Sequence, residues 1–215
     1  GMSTVTKFAL GMMGKLRPRP AVGESRKIIS LPPPGREGGI PIMEALSKRS
    51  SARAFSPREL PLPMLSNLLW AASGINRPDG GRTAPSALNA QEIDVYVALS
   101  SGAYIYDAKA NVLQLVSATD LRRVTGYQDF VDEAPLDLVF VADHSRMKMV
   151  PTTQRESYAS AAAGAISQNV YLFAASNSLS TVIRAWIDRG AIADALGLNH
   201  DQQVLLSQTV GYPKV

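Results

Sequence analysis

Cysteine is absent from the 215 residues, and histidine occurs only at positions 144 and 200. Without thiols there are no disulfides, no thiolate metal sites and no cysteine nucleophile. Two isolated histidines in ordinary loop surroundings do not make an imidazole site, so metal chemistry is set aside. The missing cysteines say little about compartment; a cytoplasmic location is the expectation, with export left open. The apolar stretch Phe8 to Met13 is too short to span a bilayer and is followed by no clear small-residue cleavage site. Also missing are the usual nucleotide fingerprints: no G-x-G-x-x-G opens a helix after a strand, and there is no P-loop. Gly35 to Gly39 follows three consecutive prolines and reads as a linker.

What is present is enough apolar residue, 46% against 19% charged, to build a substantial core. The formal net charge of +4 is unevenly placed. Lys7, Lys15, Arg17, Arg19, Arg26 and Lys27 crowd the N-terminal stretch, with Glu24 as their only offset. Residues 1–38 therefore read as an extended, basic, Pro/Gly-rich arm, solvated or wrapped on a partner subunit in preference to the alternative that it binds nucleic acid or anionic lipid. Gly1 before Met2 resembles a residue left by tag removal and stays outside the fold argument. Residues 39–215 read as the folded domain.

Within that domain the apolar spacing predicts a short helix over Ile42 to Lys48, which delivers Arg49 at its end. A second helix runs from Leu62 to Ser73, with Pro63 in its first turn, Leu65, Leu68, Leu69 and Ala72 on one face, and Gly74 as its stop. Asn76 to Arg82 is turn chemistry. Ile93 to Leu99, Ala103 to Tyr106 and Val112 to Val116 read as antiparallel strands, and Leu136 to Ala142 as a buried central strand. Arg155 to Asn177 is a long helix with small residues along its buried face. A helix over Asp188 to Leu196 and a strand over Gln203 to Val210 complete the order. It is neither a βαβ alternation nor an all-strand pattern, so the class is α+β, a mixed, largely antiparallel sheet flanked by helices.

Two polar motifs stand out. Arg49-Ser50-Ser51-Ala52-Arg53 offers two guanidinium groups and two hydroxyls within five residues, the donors that a phosphate with a polyol chain behind it needs. Pro85-Ser86-Ala87-Leu88-Asn89-Ala90-Gln91 is a loop of small residues ending in two amides, suited to the edge of a planar heterocycle. The plainer alternatives are that Arg49 and Arg53 pair with Glu44 or Glu59 on a solvated face, and that Ser86 and Asn89 cap a turn. Trp70 and Trp186 read as core or interface residues.

Both motifs resemble the flavin-binding signature of the nitroreductase family, R-x-S-x-[RK]-x-F followed by P-S-x-x-N-x-Q. Similarity continues through Leu68 to Asn76, Gln128-Asp129-Phe130, Ala134-Pro135 and Val210 to Pro213, close to the branch that contains the dehydrogenases of azole-forming peptide synthesis. It covers residue 39 onward and leaves out the arm. The resemblance implies FMN at a homodimer interface, with Arg49, Ser50 and Ser51 on phosphate and ribityl, and Arg53 at the pyrimidine edge. It implies Pro85, Ser86, Ala87 and Asn89 along the ring from the other subunit, Gln128 at the pyrimidine, and the Arg184-Ala185 backbone near the reactive ring nitrogen. The implied activity is an FMN-dependent oxidoreductase that takes electrons from NAD(P)H or an organic donor and passes them to a small organic acceptor. A dehydrogenase, a flavin-consuming enzyme or a non-catalytic flavin-binding protein are the alternatives on the same fold. No side chain is nominated as a catalytic acid, base or nucleophile. The chain departs from the pattern in lacking a basic stretch near its C-terminus, where Lys214 is the available substitute. It departs again in carrying Arg184 where Glu or Gly is more typical of simple nitro-group reducers.

Overall fold

Strands three and seven of the chain show how the core is divided. In the computed structural model, which describes residues 1–215, the strands are β1 (Arg19–Pro20), β2 (Ile28–Ser30), β3 (Ile93–Leu99), β4 (Gly102–Asp107), β5 (Val112–Ser117), β6 (Thr119–Asp120), β7 (Leu136–Asp143), β8 (Ser180–Arg184) and β9 (Gln202–Gly211). Successive residues of a strand face opposite sides of the sheet. Val95, Val97, Leu136, Leu138, Phe140 and Ala142 accordingly enter one core, while Tyr96, Ala98, Val139 and Val141 enter a second core on the other side. Burial on both faces explains why β7 reads as an unbroken apolar run.

Seven strands form one sheet in the order β2-β5-β4-β3-β7-β9-β8, with every neighbouring pair antiparallel. The expected α+β class is the observed one. The helices are α1 (Thr4–Met12), α2 (Ile42–Lys48), α3 (Leu62–Ser73), α4 (Thr152–Ser176) and α5 (Arg189–Leu196). Helices α3 and α4 cover the first core; α5, residues 121–127 and the N-terminal Leu16 cover the second. Alanines at 159, 162 and 163 let α4 lie close to its neighbours, and Pro151 precedes its first turn. Gly74 ends α3 in an extended conformation; a Cβ there would lie 2.3 Å from the Trp70 ring, whose Nε1 donates to the Ile75 carbonyl at 3.1 Å. Its role is close approach, not a left-handed turn.

The stretch 1–38 differs from the extended arm that the sequence suggests. It contains the nine-residue helix α1, capped by Ser3, whose side chain accepts from Thr6 N at 3.2 Å. It also supplies β2, the edge strand of the main sheet, and two core residues, Leu16 and Leu31. Its charge is partly internal: Lys7 pairs with Asp132, and Arg19 lies 3.1 Å from Asp120. A lysine on the buried side of α1 breaks the apolar periodicity from which a helix is read. Leu31 to Gly39 contains no regular structure, as the prolines require.

Candidate functional site

The first motif begins where α2 stops. Glu44 and Lys48, one helical turn apart, pair at 2.8 Å, and Arg49 leaves the helix with ψ 124°. The chain then runs between the edge strand β8 and the C-terminal tail. Ala52 N donates to Thr181 O at 3.0 Å, Ser56 N to Tyr212 O at 2.9 Å and Lys214 N to Ala54 O at 3.4 Å. Phe55 bridges to Pro213. The Lys214 backbone is thus held beside that of Ala54.

Tyr171 of α4 fixes the motif from below. Its hydroxyl hydrogen-bonds Ser51 Oγ at 2.8 Å and accepts from Ile183 N at 3.0 Å, while the Arg49 guanidinium lies 5.0 Å from the ring centroid. Arg49 and Arg53 are exposed, and neither has a carboxylate within 4.0 Å. The pairing of these arginines with Glu44 or Glu59 does not occur: Glu44 is taken by Lys48 and Glu59 meets no cation. Four donor groups remain on one stretch of chain, and Arg49, Ser50 and Arg53 are committed to no acceptor.

The second motif is a strained loop. Leu88, Asn89 and Gln91 all have positive φ, at 55°, 50° and 49°, although none is glycine. Ser86 Oγ accepts from Gln91 N at 2.9 Å, and Gln91 Nε2 donates to Asn89 Oδ1 and to Gly80 O, both at 3.1 Å. Arg82 braces the loop by donating to Gln91 Oε1 at 3.1 Å and to Ser73 O at 2.8 Å. Pro85, Leu88 and Asn89 are exposed, with Ser86 and Ala87 half-buried. Within one chain no hydrogen bond or ion pair joins this loop to the Arg49 motif.

The third group lies at the end of β8. The Arg184 side chain, only 3% exposed, turns into the protein. Its Nη1 donates to Thr209 Oγ1 at 2.6 Å, its Nη2 lies 3.6 Å from Asp137 Oδ1, and its guanidinium carbon is 5.8 Å from the Phe130 ring centroid. Arg184 Nε and Nη2 have no hydrogen-bond partner. Asp137, fully buried, accepts from Thr209 Oγ1 at 2.5 Å and Thr125 Oγ1 at 2.9 Å. Burial pushes its carboxyl up to about 6, although the Arg184 charge and both hydroxyls pull the other way. Desolvation likewise lowers the Arg184 guanidinium, opposed by Asp137.

Gly126 lets the chain pass close to this pair: a Cβ there would lie 2.6 Å from Arg184 Nε and would force that side chain to shift. Gln128 follows two residues later, and its Oε1 is buried without a hydrogen-bond partner. The chain comes to the surface just after Arg184, at the exposed Ala185 and the half-exposed Trp186. The structure therefore gathers Arg49, Ser50, Ser51 and Arg53 beside β8 and the C-terminus, and Gln128 with Arg184 through Gly126 and Phe130. Pro85, Ser86, Ala87 and Asn89 stand apart. Sequence reasoning did not single out Tyr171, Asp137 or Lys7. Tyr171 carried a signal, a tyrosine on the buried face of an alanine-rich helix; Asp137, inside the run read as a central strand, carried another.

Comparison with known proteins bears on the family and the fold. The model of the nitroreductase family matches residues 46–212. A candidate nitroreductase of Methanocaldococcus jannaschii is 30% identical over 153 residues, covering 66% of this chain and 77% of that protein. The crystal structure of a candidate nitroreductase from Ralstonia eutropha superposes with a TM-score of 0.89 at 52% identity, covering 93% of this chain and 96% of the other. The fold is shared more distantly with the NADPH:FMN oxidoreductase of Vibrio harveyi solved with NAD+, at TM-score 0.61 and 20% identity over 81% of this chain and 69% of that one. With the fold, the two motifs and a family match over most of its length in agreement, the chain belongs to the nitroreductase family.

Proposed function

We propose that this protein is a homodimeric FMN-dependent oxidoreductase that accepts electrons from NAD(P)H or an organic donor and passes them to a small organic acceptor. The observation that carries the reading is the set of uncommitted donors at Arg49, Ser50 and Arg53, on the stretch that Tyr171 anchors through Ser51 and Arg49. Their chemistry fits a phosphorylated, polyhydroxylated ligand. The orphaned Oε1 of Gln128 fits a ring N–H at the far end of such a ligand. Bound flavin would supply the hydride chemistry, and the protein orientation, charge and exclusion of water.

In this reading Arg49, Ser50 and Ser51 hold phosphate and ribityl, and Arg53 brings a cation to the pyrimidine edge, where it favours the anionic reduced ring. The Arg184-Ala185 backbone borders the reactive nitrogen. Pro85, Ser86, Ala87 and Asn89 of the partner subunit complete the pocket, which accounts for their separation from Arg49 within one chain. No protein acid or nucleophile is needed.

The visible spectrum of the purified protein, taken without oxygen before and after NADPH or NADH, tests this directly. Flavin bands near one per subunit, bleached by nicotinamide, are expected. Arg49→Ala should weaken FMN binding by about tenfold to a hundredfold, the loss expected when a charge-assisted contact to phosphate is removed. A colourless protein that takes up no added FMN would falsify the reading.

A further inference from the structure

Helix α1 delivers a lysine to a fully buried position. The side chains of Lys7 and Asp132 are both 0% exposed and form an ion pair. Beyond that pair, Lys7 Nζ donates to the carbonyls of Gly126 at 3.2 Å and Gln128 at 3.1 Å. Asp132 has a second cation, Arg123, whose Nε lies 3.0 Å from its other oxygen. Neutralising Asp132 therefore does not by itself require Lys7. A buried charge is costly to desolvate, and an apolar side chain would serve packing alone at least as well.

What the ammonium does beyond neutralisation is hold two carbonyls that bracket Tyr127. The next residue of α1 continues the contact: the Phe8 ring lies 5.4 Å from Tyr127 and 5.6 Å from Trp186, which are themselves 4.8 Å apart. One helix thus touches both Gly126 to Gln128 and the turn after Arg184-Ala185. We propose that Lys7 is a positioning residue for the candidate flavin site, its ammonium setting the Gly126 to Gln128 backbone and, through it, aiming the unpartnered Gln128 amide at the ligand. This rests on the flavin reading above. The N-terminal helix is then part of the site's framework, although none of its residues need touch the ligand.

The test compares the full chain with Lys7→Met, with the double variant Lys7→Met/Asp132→Asn, and with Gln128→Leu. Each is measured by circular dichroism, FMN dissociation constant and flavin midpoint potential. The double variant removes the ammonium together with the carboxylate it meets and leaves only the partly exposed Arg123 without its partner, so it remains informative where Lys7→Met alone fails to fold. With positioning, the double variant and Gln128→Leu both bind FMN roughly tenfold more weakly, shift the midpoint potential in the same direction, and keep native circular dichroism. Wild-type affinity and potential in the folded double variant would overturn the proposal, because the ammonium would then have no effect on the site. Wild-type values in Gln128→Leu would overturn it too, since nothing would be left to position. Wild-type protein that binds no FMN would instead overturn the flavin reading itself.

Discussion

Asp137 and Arg184 show how a residue's job is set by where its side chain points. The Arg184 guanidinium faces Asp137, Thr209 and Phe130 inside the protein, so it is not a cation held out to a substrate. Its presence where glutamate or glycine is more typical therefore reflects a buried partner on β7. The Asp137 carboxyl, pushed up to about 6 by burial, binds its proton more tightly folded than unfolded, where it titrates near the ordinary 3.8. Between those values the folded state holds more protons than the unfolded one, so this group's contribution to stability falls as pH rises through the window and is recovered as pH falls. Asp137→Asn removes that dependence. The stability of wild type relative to the Asn variant should improve as pH is lowered from about 7 to about 4, by an amount on the order of 3 kcal/mol at most. Denaturant unfolding of both proteins across that range checks it, and a difference independent of pH would show that Asp137 does not titrate there.

At the scale of elements, the N-terminal stretch departs most from its sequence reading. Its composition, rich in proline, glycine and cations, is that of a linker, yet α1 and β2 are laid onto the domain by particular long-range partners: Lys7 on Asp132, Arg19 on Asp120, β2 on β5 and Leu16 in the second core. Leu16 is 1% exposed, so Leu16→Ala should cost about 2 to 4 kcal/mol, as other buried leucine truncations do. The same substitution in a free arm would cost nothing measurable, so one pair of denaturation curves separates the two pictures. The elements that were legible are those with strong local periodicity. The helix and strand expected at 42–48 and 93–99 have the observed bounds, and α3, β7 and β9 lie within a residue of theirs. Helix α4 starts three residues earlier than expected. Helix α1 and strands β1, β2, β6 and β8 were not legible, because each is short and is stabilised by residues distant in sequence. Strand β8 left one trace, the β-branched run Thr181-Val182-Ile183. The Arg49 motif was visible because its chemistry is contiguous in the chain, whereas Tyr171 and Lys7 act across more than a hundred residues.

For the whole molecule, the separation of the two motifs is the fact with the most consequence. The Arg49 motif lies against β8 and the C-terminus, while the Ser86 to Gln91 loop, braced by Arg82, is joined to it by no hydrogen bond or ion pair in the same chain. The loop has three positive-φ non-glycine residues and exposes Pro85, Leu88 and Asn89, as the proposed contact with a second subunit requires. If a two-fold dimer brings the loop of each subunit to the arginines of the other, every site is built from two chains. Mixing Arg49→Ala with Asn89→Ala protein and allowing subunits to exchange then creates heterodimers with one doubly defective site and one intact site. Neither variant binds FMN normally alone, but a 1:1 mixture should recover normal affinity in about a quarter of all sites, since half the dimers are mixed and each carries one intact site. FMN titration of the exchanged mixture reads this fraction directly. Recovery of no tight sites, despite exchange shown by mass spectrometry of the mixed dimers, would place both motifs of a site in one subunit.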